Sequence, residues 1–157
     1  YVVEKAGPTN AAIFLPANSH EYTLGGYVNY DSVAGSPDVL LEHLADVAVP
    51  ALADHDGALL LDDQPALQQW LGDDAAHLED CHVLTATGRH DDEALAVIML
   101  FRDSSEPFSA VSVEAIETIA PLLADHLARI IRVHHRHLPD DDGGNVDGHD
   151  ADEPAPL

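Results

Sequence analysis

The feature that most constrains the fold is one run, Ala94 to Phe101, in which eight apolar residues follow one another without a break. A run of that kind reads as a β-strand covered on both faces, in the middle of a sheet. A polar turn follows, Arg102 to Pro107, and then a long helical pattern. Ser109 is a good N-cap residue. Val113, Ile116, Ile119, Ala120, Leu123, Leu127, Ile130 and Ile131 recur at spacings of three and four, which lays one apolar stripe along one helix face. From Ser109 to His137 the helix would be on the order of 40 Å long, wider than a small sheet, so its last turns should project beyond it. Pro121 lies inside the pattern and is expected to kink or split the helix, because it removes one backbone donor.

The rest of the chain supplies strands and short helices. Tyr1 to Ala6 reads as the end of a truncated helix, stopped by Gly7-Pro8. Ala11 to Leu15 is a short apolar strand ended by Pro16, and Tyr22 to Tyr30 is its hairpin partner, with Gly25-Gly26 as a bulge. Ser36-Pro37-Asp38 opens a helix that continues through Val47 and is ended or kinked by Pro50. Ala58 to Leu61 is a short strand, and Asp63 to Leu71 a short helix carrying Pro65 and Trp70. Asp73 to Asp80 is a polar connection, Cys81 to Thr87 a strand, and Gly88 to Asp92 the turn into the central run. Only the span from Tyr30 to Ala58 has room for a helical crossover, so the sheet should be mainly antiparallel.

Composition bounds the partners. The chain has 157 residues, 46% of them hydrophobic, which supports one folded domain, residues 1–138. From Pro139 onward the Asp/Gly/Pro composition reads as a disordered acidic tail, residues 139–157. There are 29 acidic and 6 basic residues, a net charge of −23, so phosphate backbones are repelled and nucleic acid is excluded as a partner. The acid-rich, Lys-poor surface serves solubility, with salt adaptation as the other reading. No run approaches the roughly 18 apolar residues of a membrane span. No secretory leader is visible, and with no initiator Met a processed or excised piece is expected. One cysteine, Cys81, excludes an internal disulfide and fits a reducing, cytoplasmic setting.

The order of elements resembles a GAF domain, the small-molecule sensory module of signalling proteins. Ala86-Thr87-Gly88 through Glu93 to Phe101 looks like the family's two closing strands, with Ala96 where Gly is usual. Phe108-Ser109, Ile116 and Leu123 to Ala128 resemble its final helix, and Pro50 to Asp62 resembles the segment before its short strand. The resemblance covers roughly Val2 to His137 and implies an α+β fold, GAF/PAS-like. Its central antiparallel sheet has about six strands and helices on both sides. It implies terminal helices on one face, a ligand pocket on the other, and a homodimer through the terminal helices. Ile119, Leu122, Ile130 and Val133, partly off the main stripe, are the residues for that contact.

For the pocket, the resemblance points to the loops between Tyr30 and Asp80, with Tyr27, Tyr30, His55, Trp70, His77 and His82 as polar-tipped candidates. No Lys or Arg lies between Ala6 and Gly88. A cyclic nucleotide would have to seat its phosphate on the helix start at Ser36-Pro37-Asp38, where Asp38 opposes it, and the family's Asn-Lys…Asp-Glu signature is missing.

Bilin-binding members carry a Cys-His pair, but there it precedes both closing strands by a long helical loop. Here Cys81 enters the first of those strands, where a cysteine is expected as a small buried hydrophobe. The branch that reduces free methionine sulfoxide needs several cysteines, and one thiol cannot form the required disulfide. Ser, His and Asp lack nucleophile-elbow spacing, so no catalytic residue is expected. His134 and His137 have a zinc-like spacing, but two histidines rarely hold zinc, and cations suit a helix C-terminus. A calcium loop on Asn145, Asp147 and Gly148 would need ligands at Gly143 and Pro154 and fails. No metal is expected and no cofactor is specified.

The expectation is a non-enzymatic sensory or regulatory domain in signal transduction that binds an unidentified small molecule. The alternative is a ligand-free dimerisation or protein-interaction module.

Overall fold

The computed structural model describes residues 2–18, 21–30 and 37–135. Ser36, His137 and the acidic tail lie outside the described residues. Among the described residues, strand β5 (Glu93–Asp103) holds the centre of a five-stranded sheet, close to the six or so strands the resemblance implied. With β1 (Asn10–Asn18), β2 (Glu21–Val28), β3 (Ala58–Leu61) and β4 (Cys81–His90), the order is β2-β1-β5-β4-β3, antiparallel throughout. Every residue from Leu95 to Arg102 is buried, which is why the run is apolar on both sides.

β4 and β5 form a hairpin longer than expected. Gly88 to His90 are strand, and the turn is only Asp91-Asp92, with φ of 50° and 65°. Two left-handed residues suit the turn that matches strand twist, and Asp tolerates that region. Gly88 pairs with Ala96 but Arg89 with Ala94, so Leu95 is an extra residue. This bulge turns Leu95 onto Ala124 and Ala128 of the long helix. The bulge in β2 falls where expected: Gly26 pairs with Ile13 and Leu24 with Phe14, leaving Gly25 over. Pro16 does not end β1. The ladder to β5 stops at Phe14, so Pro16 faces only β2 and its missing donor interrupts no central ladder.

One face of the sheet carries α2 (Pro37–His43), a π-helical turn (Leu44–Ala48) and α3 (Val49–Ala53) in direct succession. Pro50 was expected to end or kink this helix; it does not end it, and a π-helical irregularity stands immediately before it. The Val49 N–H reaches back five residues to the Leu44 carbonyl. That widened turn makes room for the proline ring and absorbs its missing bond. Asp63 caps α4 (Gln64–Leu71), its carboxylate accepting from the Ala66 N–H at 2.8 Å. A 3-10 helix, Gly72–His77, replaces the expected polar connection and buries Asp74 and Ala75. Leu41, Leu44, Leu52, Leu67 and Leu71 from this layer pack on Phe14, Val83, Val97, Met99 and Phe101.

The other face carries α1 (Val2–Ala6), stopped by Gly7 at φ 79°, and α5 (Ala110–His135). Ala6, Phe108, Ile116 and Ala120 pack there on Leu84, Ala86, Ile98 and Leu100. α5 starts where Ser109 Oγ accepts from the Ser112 N–H at 3.3 Å. It is not split at Pro121. That residue is exposed, so the Glu117 carbonyl it leaves unpaired faces water. Among the described residues no helix is long and apolar enough to cross a membrane.

α5 lies against β4 at backbone distance. A Cβ on Gly88 would overlap the Ala120 carbonyl oxygen and come within 3.2 Å of the Ala124 Cβ. Neither neighbour is a flexible side-chain end, so the helix or the strand would have to shift. Gly88→Ala should lower unfolding free energy by about 3 kcal/mol in urea titration. Gly26→Ala, with nothing within 4 Å of its Cβ position, should change it by less than about 0.5 kcal/mol.

Candidate functional site

The face covered by α2, α3 and α4 holds Tyr27, His55, Thr85 and Asp74, each with a polar atom buried without a hydrogen-bond partner; His82 Nδ1 and Arg102 Nε are two more on the other face. Tyr27 lies on β2 in register with Ala12 and stacks on Phe101, with ring centroids 6.2 Å apart and planes 10° apart. Its hydroxyl is buried and makes no hydrogen bond, and burial raises its pKa above the ordinary phenol value. His55, between α3 and β3, meets Trp70 edge-on at 5.4 Å, and its Nδ1 is buried without a partner.

Two further residues of this face were not singled out in the sequence. Thr85 is buried opposite Met99, and its hydroxyl makes no hydrogen bond. Asp74 is 5% exposed; its Oδ1 lies 3.5 Å from His43 Nδ1 and its Oδ2 has no partner. A signal existed for the first. Val83, Thr85 and Thr87 alternate along β4 on the face that meets the helical layer, and two hydroxyls on a core face need partners. Thr87 has one, donating to the Leu52 carbonyl at 2.9 Å. Asp74 gave no signal, because it stands in an acidic stretch that reads as solvated.

The structure brings Tyr27, His55 and Trp70 to this face and leaves the other candidates off it. Tyr30 is 56% exposed, its N–H donating to Asn10 Oδ1 at 2.9 Å. His77 is exposed. His82 pairs in register with Arg102 and, by strand alternation, shares the opposite face with Leu84 and Ala86. The sequence could not place it, since one residue of register moves a side chain across the sheet.

Beside this face a cleft of about 390 Å³ opens between β2 and α2, lined by Tyr22, Leu24 and Leu41 and by the carboxylates of Asp38, Glu42 and Asp46. Those three acids follow at i, i+4 and i+8, on one side of the helix. The three carboxylates give the cleft a negative field, and Arg89, the cation that acts on Tyr22, is paired with Asp56. Among the described residues no group of three His, Cys, Asp or Glu is placed to hold a metal ion.

Cys81 is the first residue of β4 and is half-buried. Burial, then the charges of Asp103 and Asp80, pushes its thiol up to about 11. A thiol held protonated is a poor nucleophile.

A five-stranded antiparallel sheet, with a helical excursion on one face and paired terminal helices on the other, defines an α+β fold of GAF type. Two solved structures match it over most of their length. One is a GAF domain/HD domain protein from Geobacter sulfurreducens, with a TM-score of 0.60 and 13% identity over 82% of this chain and 87% of that one. The other is the domain of a protein described as a two-component sensor histidine kinase from Sinorhizobium meliloti 1021, with a TM-score of 0.64 and 11% identity over 88% and 90%. No protein-family model matches the sequence, and no curated protein matches it.

The Cys81 environment is open to direct measurement. At pH 8, labelling by a thiol-specific disulfide reagent should run about 100-fold slower in the folded protein than in urea, because the raised pKa cuts the thiolate fraction by that factor. Equal rates would show an ordinary, accessible thiol.

Proposed function

We propose that this chain is a non-enzymatic sensory domain of signal transduction, which binds a small molecule on the α2–α4 face and dimerises through α5. The observation that carries the ligand reading is the set of buried polar atoms without partners on that one face: Tyr27 Oη, His55 Nδ1, Thr85 Oγ1 and Asp74 Oδ2. Each unmade bond costs roughly 1–3 kcal/mol, and a ligand with matching donors and acceptors removes that cost on binding. The acidic surroundings favour a neutral or cationic ligand over an anion. The likeness in fold to a GAF domain/HD domain protein and to a domain of a protein described as a sensor histidine kinase supports the sensory role. A cytoplasmic setting fits a single unoxidised cysteine.

The dimer reading rests on α5. Leu122, Ile130 and Val133 are 58%, 42% and 54% exposed, while Ile119 is half-buried against the sheet-side cluster. Exposed apolar residues on one element mark an interaction surface.

A second reading has its own support: Leu52, Leu61, Leu67, Met99 and Phe101 are all 1% exposed or less on the ligand-side face. A face so well filled suits a ligand-free dimerisation or protein-interaction module. A thermal-shift screen with nucleotides, amino acids, bilins, haem and metal ions separates the two. The sensor reading expects a rise of a few degrees with a neutral or cationic class, reduced in Tyr27→Phe. No rise with any class supports the interaction module. For the dimer, sedimentation equilibrium should give twice the chain mass, and Ile130→Glu with Val133→Glu should return it to the monomer mass.

A further inference from the structure

One constellation lies outside the ligand-side face and joins the β4–β5 hairpin to the distal part of α5. His90, the last residue of β4, has Nδ1 2.8 Å from Asp125 Oδ1, and its Nε2 is 2.6 Å from Arg132 Nη2. Asp91 of the turn stands by, with Oδ2 3.5 Å from His90 Nε2 and 3.6 Å from Arg132 Nη2. Asp125 and Arg132 are seven residues apart on α5 and project from the same side of it.

These contacts favour one arrangement of protons on the ring. Arg132 is always charged and can only donate, so Nε2 must accept with its lone pair. Asp125 is a carboxylate and can only accept, so the proton sits on Nδ1. The two contacts are ones that a neutral ring in this single tautomer can make together. A second proton would place an N–H at Nε2, facing the guanidinium donors, cation against cation. The two cannot stay 2.6 Å apart, and Asp91 is the acceptor within reach of Nε2.

The consequence falls on the end of α5. Ala128 is its last buried residue, and every described side chain from Arg129 to His134 is exposed. Those turns have little apolar contact with the sheet, and Arg132 ties them to the hairpin. The remaining charges around the ring are Arg89 on β4, Asp92 in the turn, Glu93 on β5, and Arg129 on α5. Arg89 is already committed to Asp56 at 3.2 Å and to the carbonyls of Ala53 and Asp92. It does not compete for His90.

We propose that His90 is a pH-responsive latch: neutral, it holds Arg132 and docks the last turns of α5 on the hairpin; protonated, it passes to Asp91 and lets those turns go. The Asp125 contact survives in both states, so release is confined to the helix beyond it. This device is independent of any ligand on the opposite face.

Two measurements on the full chain test it. Long-range ¹⁵N–¹H imidazole spectra near pH 7.5, with the His90→Gln spectrum used for assignment, should show His90 protonated on Nδ1 alone; a proton on Nε2 overturns the proposal. Amide exchange, corrected for the intrinsic rate, should show protection across residues 129–135 falling at least about threefold between about pH 7.5 and about pH 5.5. His90→Gln, which cannot take up the proton, should remove the pH dependence. Arg132→Gln should show the low protection at both pH values. Equal wild-type protection at the two pH values, or an unchanged loss in His90→Gln, overturns the proposal. Should the variants fail to fold, the wild-type exchange profile across residues 129–135 still decides.

Discussion

The contact between Gly88 and Ala120 sets the geometry of the whole terminal-helix face. Glycine in a strand costs about 0.5–1 kcal/mol of backbone entropy relative to alanine. Here it lets a helix carbonyl approach the strand where any side chain would stand. The helix answers with small residues in the same row: Ala120, Ala124 and Ala128 are at most 6% exposed. Close approach leaves little volume to fill, and the Leu95 bulge supplies it exactly one turn further on, between Ala124 and Ala128. Larger residues, Phe108 and Ile116, occupy the proximal end. The helix is thus seated closely by its middle and more loosely toward its far end.

A second constraint binds the two ends of the chain to the central strand. Arg102 is only 7% exposed, and its guanidinium meets carbonyls rather than a carboxylate. Nη1 donates to the Ala6 carbonyl and Nη2 to the Pro107 carbonyl, each at 2.7 Å, while the group lies 4.2 Å over the Phe108 ring. Burial lowers its pKa below the ordinary guanidinium value, against the opposing pull of Glu106. Burying a cation is costly, but here it satisfies an orphan carbonyl at the end of α1 and fixes the approach to α5. One side chain of β5 therefore positions both terminal segments.

Much of this was legible in the sequence. The unbroken Ala94–Phe101 run located the central strand, because only a strand buried on both faces has no use for alternation. The stripe from Val113 to Leu127 located the docked half of α5, and Gly25 marked its bulge. What failed were rules that treat residues locally. Pro16 was expected to end its strand, and Pro50 and Pro121 to end, split or kink their helices; none of the three ends its element, and each sits where the lost donor costs little: past the end of a ladder, after a widened turn, or facing water. The candidate pocket was half legible for the same reason. Aromatic and histidine side chains announce themselves, but which face of the sheet they occupy depends on register, and that sent His82 to the helix side. Asp74 was hidden among acids that belong to the surface.

The two faces share one strand. Val97, Met99 and Phe101 point into the α2–α4 layer, and Ile98, Leu100 and Arg102 into the terminal-helix layer. A displacement of β5 on one side is a displacement on the other, because successive side chains share a backbone. The part of α5 up to Ala128 follows it, held by apolar burial. The short part beyond is held through exposed polar groups, His90, Asp91 and Arg132, whose bonds depend on charge. A helix fastened by packing along most of its length and by ionisable groups at its end has a fixed body and a conditional end. The boundary between them falls at Ala128, the point where burial stops.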